Sequence, residues 1–254
     1  MSAPVLQVDE LTVAYGGLLA VEGVSLTVTA GEVVGLIGPN GAGKTSCIDA
    51  LTGFTPARGR VRLDGRPIDE LPTHRRARAG LARTFQSVEL FEDLSVAENL
   101  AVASADPAWW SPLVDAIRPR RADHDVRWAL EAVGLGDLGA ARPAELSHGQ
   151  RRLVGVARAL VRRPTALLLD EPAAGLDTAE SAALGRRIRD IAASGIAVLL
   201  VDHDMGLVLS VCDRVAVLDF GHLIATGTPA EIRDDATVVA AYLGTGSTAE
   251  DDRG

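Results

Sequence analysis

Val33-Val-Gly-Leu-Ile-Gly-Pro-Asn-Gly-Ala-Gly-Lys-Thr45 runs on into Ser46-Cys-Ile-Asp-Ala-Leu51 and stops at Gly53. Val33 to Ile37 is a short apolar run, as a buried strand carries. Ser46 to Leu51 has helical spacing, and the glycine after it is a stop signal. Between them Gly38, Gly43, Lys44 and Thr45 spell G-x-x-x-x-G-K-T. Strand, glycine loop and helix in that order form a phosphate-binding loop. Glycine lets backbone N–H groups crowd a phosphate without a Cβ in the way. The helix N-terminus adds unpaired donors and a positive partial charge. Gly38, Pro39, Asn40, Gly41, Ala42, Gly43, Lys44, Thr45 and Ser46 are therefore the candidate nucleotide cradle. Lys44 is expected to bridge the β- and γ-phosphates and Thr45 to ligate Mg²⁺. An accidental glycine turn is the plain alternative. Against it, Lys44 is the only lysine, and every other one of the 25 basic residues is arginine. This position alone keeps the compact ammonium that a phosphate cradle needs and a planar guanidinium does not replace.

A chain of 254 residues, 47% hydrophobic, can bury a full core. Its apolar runs, Ala166 to Leu169 and Ile196 to Val201 among them, fall well short of the roughly 20 residues that cross a bilayer. Met1-Ser-Ala-Pro4 does not open a secretory signal. Cys47 and Cys212 make no disulfide framework and lack metal-ligand spacing. The expectation is a reduced, cytoplasmic protein. A net charge of −9 argues against a nucleic-acid partner. Arginines between Arg58 and Arg83 and between Arg151 and Arg163 have no interleaved aromatics and read as solvated faces. Residues 245–254 read as a disordered acidic tail.

Along the chain, Leu6 to Val13 and Ala20 to Val28 alternate apolar and polar. With Gly59 to Leu63 they suggest an antiparallel sheet beside the loop strand. Tyr15, at the turn, reads equally as a core tyrosine or as a flat face for an adenine ring. Pro72 to Gly80 suggests a short basic helix, and Gly80 to Phe85 a strand ending at Gln86. Ser95 and Glu98 form a capping box, and helical texture continues to Val133 through Pro107, Pro112 and Pro119. Ser147 opens a helix closed by Arg162, Arg163 and Pro164. Ala166 to Leu169 is a buried strand ending in Asp170 and Glu171. Asp177 and Glu180 cap the next helix, and Ile196 to Val201 is a strand ending at Asp202-His203-Asp204. A hairpin around Phe220-Gly221 and a helix from Pro229 close the chain. Strands alternating with helices predict an α/β, mostly parallel sheet with ligands at the strands' C-terminal ends. The division expected is a nucleotide-binding core from 1–87 and 163–244, including the antiparallel β subdomain, and a helical subdomain from 88–162.

Beside a phosphate loop, four strand-end polar residues acquire roles. Asp170 is placed to hold Mg²⁺ through water. Glu171 can orient or deprotonate the attacking water. His203 can contact the γ-phosphate, and Gln86 can join the metal's water shell. Each alone also reads as a strand end meeting solvent; together on one sheet edge they read as catalytic. Leu146-Ser-His-Gly-Gln150 places serine and glycine at a second helix N-terminus, a second anion site. One chain needs one γ-phosphate cradle. The second implies a dimer with two ATP molecules at its interface, each gripped by one glycine loop and the partner's Ser147 helix.

These residues resemble the ATP-binding cassette family over about residues 5 to 244. Gly38 to Thr45 looks like its Walker A, Gln86 its Q-loop, Leu146 to Gln150 its signature and Leu167 to Glu171 its Walker B. Gly175-Leu-Asp177 looks like the D-loop, His203 the switch histidine and Tyr15 the adenine-stacking aromatic. The resemblance implies a P-loop, RecA-like core and adds Gly149, Gln150 and Asp177 to the nucleotide-facing set. His148 departs from the family, which usually has glycine there. Arg83-Thr-Phe-Gln86, Leu51-Thr-Gly-Phe54, Gly149-Gln-Arg-Arg-Leu153, Gly227-Thr-Pro229 and Ala241-Tyr-Leu-Gly244 look like the branched-chain amino acid importer ATPases. Close relatives serve amides, urea or lipopolysaccharide export.

The resemblance implies an ATPase with ATP and Mg²⁺, peripheral on the cytoplasmic face of the membrane. Its partners are a second nucleotide-binding subunit, transmembrane permease subunits and, indirectly, a solute-binding protein. A permease helix is expected in the groove between the helical segment and the Gln86 loop. The rivals are a soluble relative working on DNA or ribosomes, and a degenerate cassette that only holds ATP. The first lacks support because no heptad stretch or repeat occurs. The second is opposed by the presence of both Glu171 and His203.

Overall fold

The computed structural model describes residues 3–85, 89–104 and 118–244. In chain order the elements are β1 (Pro4–Tyr15), β2 (Leu18–Thr29), β3 (Val33–Ile37), α1 (Lys44–Thr52), β4 (Arg58–Leu63), β5 (Arg66–Pro67), α2 (Thr73–Ala79) and β6 (Leu81–Arg83). Then come α3 (Val96–Ser104), α4 (Arg118–Ala132), α5 (His148–Leu160), β7 (Ala166–Asp170), α6 (Thr178–Ala193), β8 (Ala197–Val201) and α7 (Met205–Val211). The chain closes with β9 (Arg214–Asp219), β10 (His222–Gly227), α8 (Pro229–Asp234) and α9 (Ala236–Gly244).

Six strands form one sheet in the order β10-β9-β3-β8-β7-β6, parallel throughout except for the β9–β10 hairpin. Its central strands β3, β7 and β8 are buried at every position. That is why their sequences are unbroken apolar runs rather than alternations. The period of two still sorts their side chains between faces. Val33, Ile37, Leu167, Leu169, Val198 and Leu200 join the core formed with α3 to α7. Val34, Leu36, Leu168, Leu199 and Val201 join the core under α1 and the second sheet. That sheet is antiparallel, in the order β2-β1-β4-β5.

Several boundaries differ from the sequence expectation. β6 ends at Arg83, although Thr84 continues the pairing by donating its N–H to the Leu168 carbonyl at 2.9 Å. The helical texture from residue 96 resolves into α3 and α4, with Pro119 in the first turn of α4, where a missing N–H costs nothing. The prolines at 107 and 112 and the acidic tail lie outside the described residues. Between β8 and β9 the chain forms α7, which the apolar run Met205 to Val211 did not announce. Asp204 caps it, accepting from the N–H groups of Gly206 and Leu207. Buried Arg76 ties α2 to the end of α1: Nη1 donates to the carbonyls of Ala50 and Leu51, each at 2.7 Å.

Candidate nucleotide and catalytic site

The loop from Gly38 to Gly43 leaves β3 and enters α1 in the arrangement the spacing implied. Gly43 sits at φ 102°, and a Cβ there would come within 2.2 Å of the Ala20 carbonyl. A Cβ on Gly38 would come within 2.1 Å of the Leu218 carbonyl. Both glycines are thus demanded by neighbouring strands as well as by any ligand. The loop is tied from outside too: Gly221 donates its N–H to the Ala42 carbonyl at 3.0 Å. Burial pushes the Tyr242 hydroxyl of α9 above the ordinary tyrosine range, and the neighbouring Gly38 backbone pulls it partly back.

Pro39 and Ala42 are buried, whereas Asn40 and Gly41 are exposed at the rim. Lys44, 7% exposed, donates through Nζ to the carbonyls of Gly38 at 2.7 Å and Pro39 at 2.9 Å. Burial holds its ammonium below the ordinary lysine range, while the charges of Glu171 and Asp170 push it back up. The loop cation and the β7 carboxylates therefore share one electrostatic neighbourhood. Thr45, exposed, and half-buried Ser46 stand in the first turn of α1.

Asp170 closes β7 with 3% of its surface exposed. Oδ2 accepts from Arg83 Nη2 at 2.8 Å, but the buried Oδ1 has no protein partner. Such an orphaned acceptor carries a desolvation cost unless a ligand or its water meets it. Glu171 follows at φ 45°, a left-handed conformation costly for a residue with a Cβ, held by its N–H donating to the Val201 carbonyl at 2.7 Å. His203 lies beyond β8, 60% exposed. Gln86 lies outside the described residues.

Two further residues belong to this edge. Asp202, fully buried, accepts from the N–H groups of Ala173 at 3.2 Å and Asp204 at 3.0 Å, tying the turns after β7 and β8 together. Its place in Asp202-His203-Asp204 was visible; its role was not, because both partners are brought by the fold. Arg83 was visible only as part of a subgroup pattern.

Ser147, Gly149, Gln150 and Asp177 stand together where α5 and α6 begin. Ser147 caps α5 by accepting from the Gln150 N–H at 3.2 Å, and Gln150 Oε1 accepts in return from the Ser147 N–H at 2.9 Å. Asp177 caps α6 with Glu180 in the same way. A Cβ on Gly149 would meet Glu180 Oε1 at 2.8 Å, and one on Gly175 would meet His148 Nε2 at 3.2 Å. The departure at His148 thus packs against the loop before α6. Tyr15 is on the rim, 48% exposed, its hydroxyl 3.4 Å from Thr55 Oγ1; it is not a core residue.

Among the described residues no cluster of three His, Cys, Asp or Glu side chains could hold a metal alone. A magnesium ion does not need one, because it keeps waters and substrate phosphates around one or two protein oxygens. The orphaned Asp170 Oδ1 and the exposed Thr45 hydroxyl fit that pattern.

The family model described as ABC transporter matches residues 21–174, and that described as branched-chain amino acid ATP-binding cassette transporter matches residues 222–248. The chain is 43% identical to the high-affinity branched-chain amino acid transport ATP-binding protein BraF of Pseudomonas aeruginosa, over 96% of this chain and 99% of that one. It is 41% identical to LivG of Escherichia coli, a protein of the same description, with the same coverage. It is 39% identical to the lipopolysaccharide export system ATP-binding protein LptB of Escherichia coli, over 94% of this chain and 97% of that one. Among solved structures, the ADP conformation of MJ1267, an ATP-binding cassette of an ABC transporter, matches with a TM-score of 0.85 at 30% identity, covering 96% of this chain and all of that one. A nucleotide-free ATP-binding cassette matches at 0.83 and 29% identity, covering 94% and 99%. The chain belongs to the ABC transporter family and is an ATP-binding, ATP-hydrolysing subunit of it.

Proposed function

We propose that this subunit powers import of branched-chain amino acids from the cytoplasmic face of the membrane, as one of two cassettes docked on permease subunits. A solute-binding protein delivers the solute outside. The amino acid reading is favoured by the second family match, which covers the β10 to α9 region where Tyr242 meets the phosphate loop. Among the described residues no helix is long and apolar enough to cross a membrane. Attachment through permease subunits accounts for a membrane role without one.

The observation that carries the catalytic reading is the convergence of Lys44, Asp170, Glu171 and His203 beyond the C-terminal ends of β3, β7 and β8, which are neighbours in one sheet. Loop amides and Lys44 bind the triphosphate, and Tyr15 supplies a face for the base. Thr45 and Asp170 would hold Mg²⁺, with Gln86 joining through its waters; when bound, the ion would offset charge on the phosphates. Glu171 takes the proton from the attacking water, and His203 orients the γ-phosphate. Ser147, Gly149, Gln150 and Asp177 face the nucleotide of the partner subunit. A groove of 430 Å³ walled by Arg83, Phe85, Glu89, Ala103 and Arg158 receives a permease helix.

Ser147→Arg tests the shared pocket. It should abolish phosphate release while equilibrium ATP binding by the single chain is unchanged; loss of binding would place Ser147 in the chain's own pocket. The solute is tested by uptake of labelled leucine in cells lacking and re-expressing the chain. Uptake that does not depend on it would reject the amino acid assignment.

A further inference from the structure

Arg83 touches the metal-side carboxylate and the groove at once. Its guanidinium donates to Asp170 Oδ2 at 2.8 Å, to Asp49 Oδ1 at 2.5 Å and to Thr52 Oγ1 at 3.3 Å. It also lies 5.1 Å from the ring centroid of Phe85 and 5.7 Å from that of Phe54. The two rings meet edge to face at 5.8 Å. The Arg83 side chain is only 8% exposed, yet it lines the groove together with Phe85, itself 52% exposed.

A buried cation set between two carboxylates and two rings is fixed in direction by its planar fork. With Oδ2 held by that fork, Asp170 keeps Oδ1 in its orphaned position. Among the described residues, the groove is lined by Phe85 and Arg83 and by no residue of the phosphate loop. We infer that Arg83 is a positioning residue that aims Asp170 Oδ1 at the metal's water shell, and that Phe85 transmits the state of the groove to that carboxylate through Arg83. This rests on the reading above, in which Asp170 and Thr45 hold Mg²⁺.

The test uses the full chain with ADP. Mn²⁺ affinity is followed by electron paramagnetic resonance, and ADP affinity is measured separately in EDTA. Removing an outer-shell partner of a metal ligand costs about 10- to 100-fold in metal affinity, the loss expected for Arg83→Met with ADP affinity in EDTA unchanged. Arg83→Lys keeps a cation beside Asp170 but loses the fork to Asp49, and should recover part of the loss. Phe85→Ala and Asp49→Asn should weaken Mn²⁺ in the same direction by less. Unchanged Mn²⁺ affinity in Arg83→Met, with a loss in Thr45→Ala, overturns the role of Arg83 and leaves the metal site standing. Unchanged affinity in both Thr45→Ala and Asp170→Asn overturns the metal site, and this inference with it. If Arg83→Met does not fold, the Phe85 and Asp49 variants decide: no change in either sinks the link.

Discussion

His203 turns Nδ1 toward Glu171, with 3.9 Å between Nδ1 and Oε1. The same nitrogen is 3.7 Å from Oδ1 of buried Asp202, whose carboxylate ties the turns after β7 and β8 together. The imidazole therefore sits between a fixed carboxylate and one at a strained φ of 45°. Strain of this kind persists where surrounding structure over-determines it, and it concentrates at functional sites. Glu171→Gln keeps the shape and removes the base. Turnover should fall about 100- to 10,000-fold, the usual share of a general base, with ATP affinity retained. A phosphate-release assay checks this; unchanged turnover would remove Glu171 as the water-activating group.

The loop glycines should separate by environment. Gly41 at φ 83° has open space around its missing Cβ, so Gly41→Ala should cost only the left-handed penalty of about 1–2 kcal/mol. Gly43→Ala adds a collision with the Ala20 carbonyl, 2.2 Å from the Cβ, and should lower stability further. Urea unfolding midpoints without nucleotide measure both. Equal losses would mean that the contact with β2 is easily relieved.

Arg76 spans four backbone carbonyls: Leu71, Ala50, Leu51 and Asp69. Two of them end the phosphate-loop helix. Hydrogen bonds from a charged donor contribute about 1.5–3 kcal/mol, and Arg76→Ala should destabilise by at least that in thermal or urea unfolding. Arg76→Lys should rescue little, because one ammonium cannot reach donors spread over a fork. Full rescue by lysine would show that charge alone matters there.

The central strands were legible because strands buried on both faces must be written as continuous apolar runs, and β3, β7 and β8 are. The caps at Ser95, Ser147 and Asp177 were legible because each bonds a residue three positions on. α7 was not: Met205-Gly-Leu-Val-Leu-Ser-Val211 is apolar on nearly every side and carries no period. Arg83 and Asp202 were not legible as site residues because their partners lie far off in sequence; Asp170 is 87 positions from Arg83. Local pattern reports what a residue does to its neighbours in the chain, and these two act on neighbours in space. The reason for Gly38 and Gly43 was half legible, since the carbonyls that exclude their Cβ atoms belong to other strands.

Glu32 provides the pH prediction. Burial alone would raise its carboxyl, but the hydrogen bond from Arg214, followed by those from the Thr29 backbone and side chain, outweighs burial and holds it below its ordinary 4.5. Arg214 Nε donates to Oε1 at 2.6 Å, and the Thr29 N–H and Oγ1 donate to Oε2 at 2.8 and 2.9 Å. The carboxylate thereby fastens the end of β2 to β9 at the entrance to β3. A depressed carboxyl stabilises the fold fully above its unfolded value and loses that contribution as pH falls through its folded value. The stability gap between the wild-type chain and Glu32→Gln should therefore be constant at neutral pH and shrink below pH 4.5. Urea midpoints across the acid range measure it. A gap that widens toward acid would mean that the fold favours the protonated side chain, and the Arg214 pairing would not be what holds that corner.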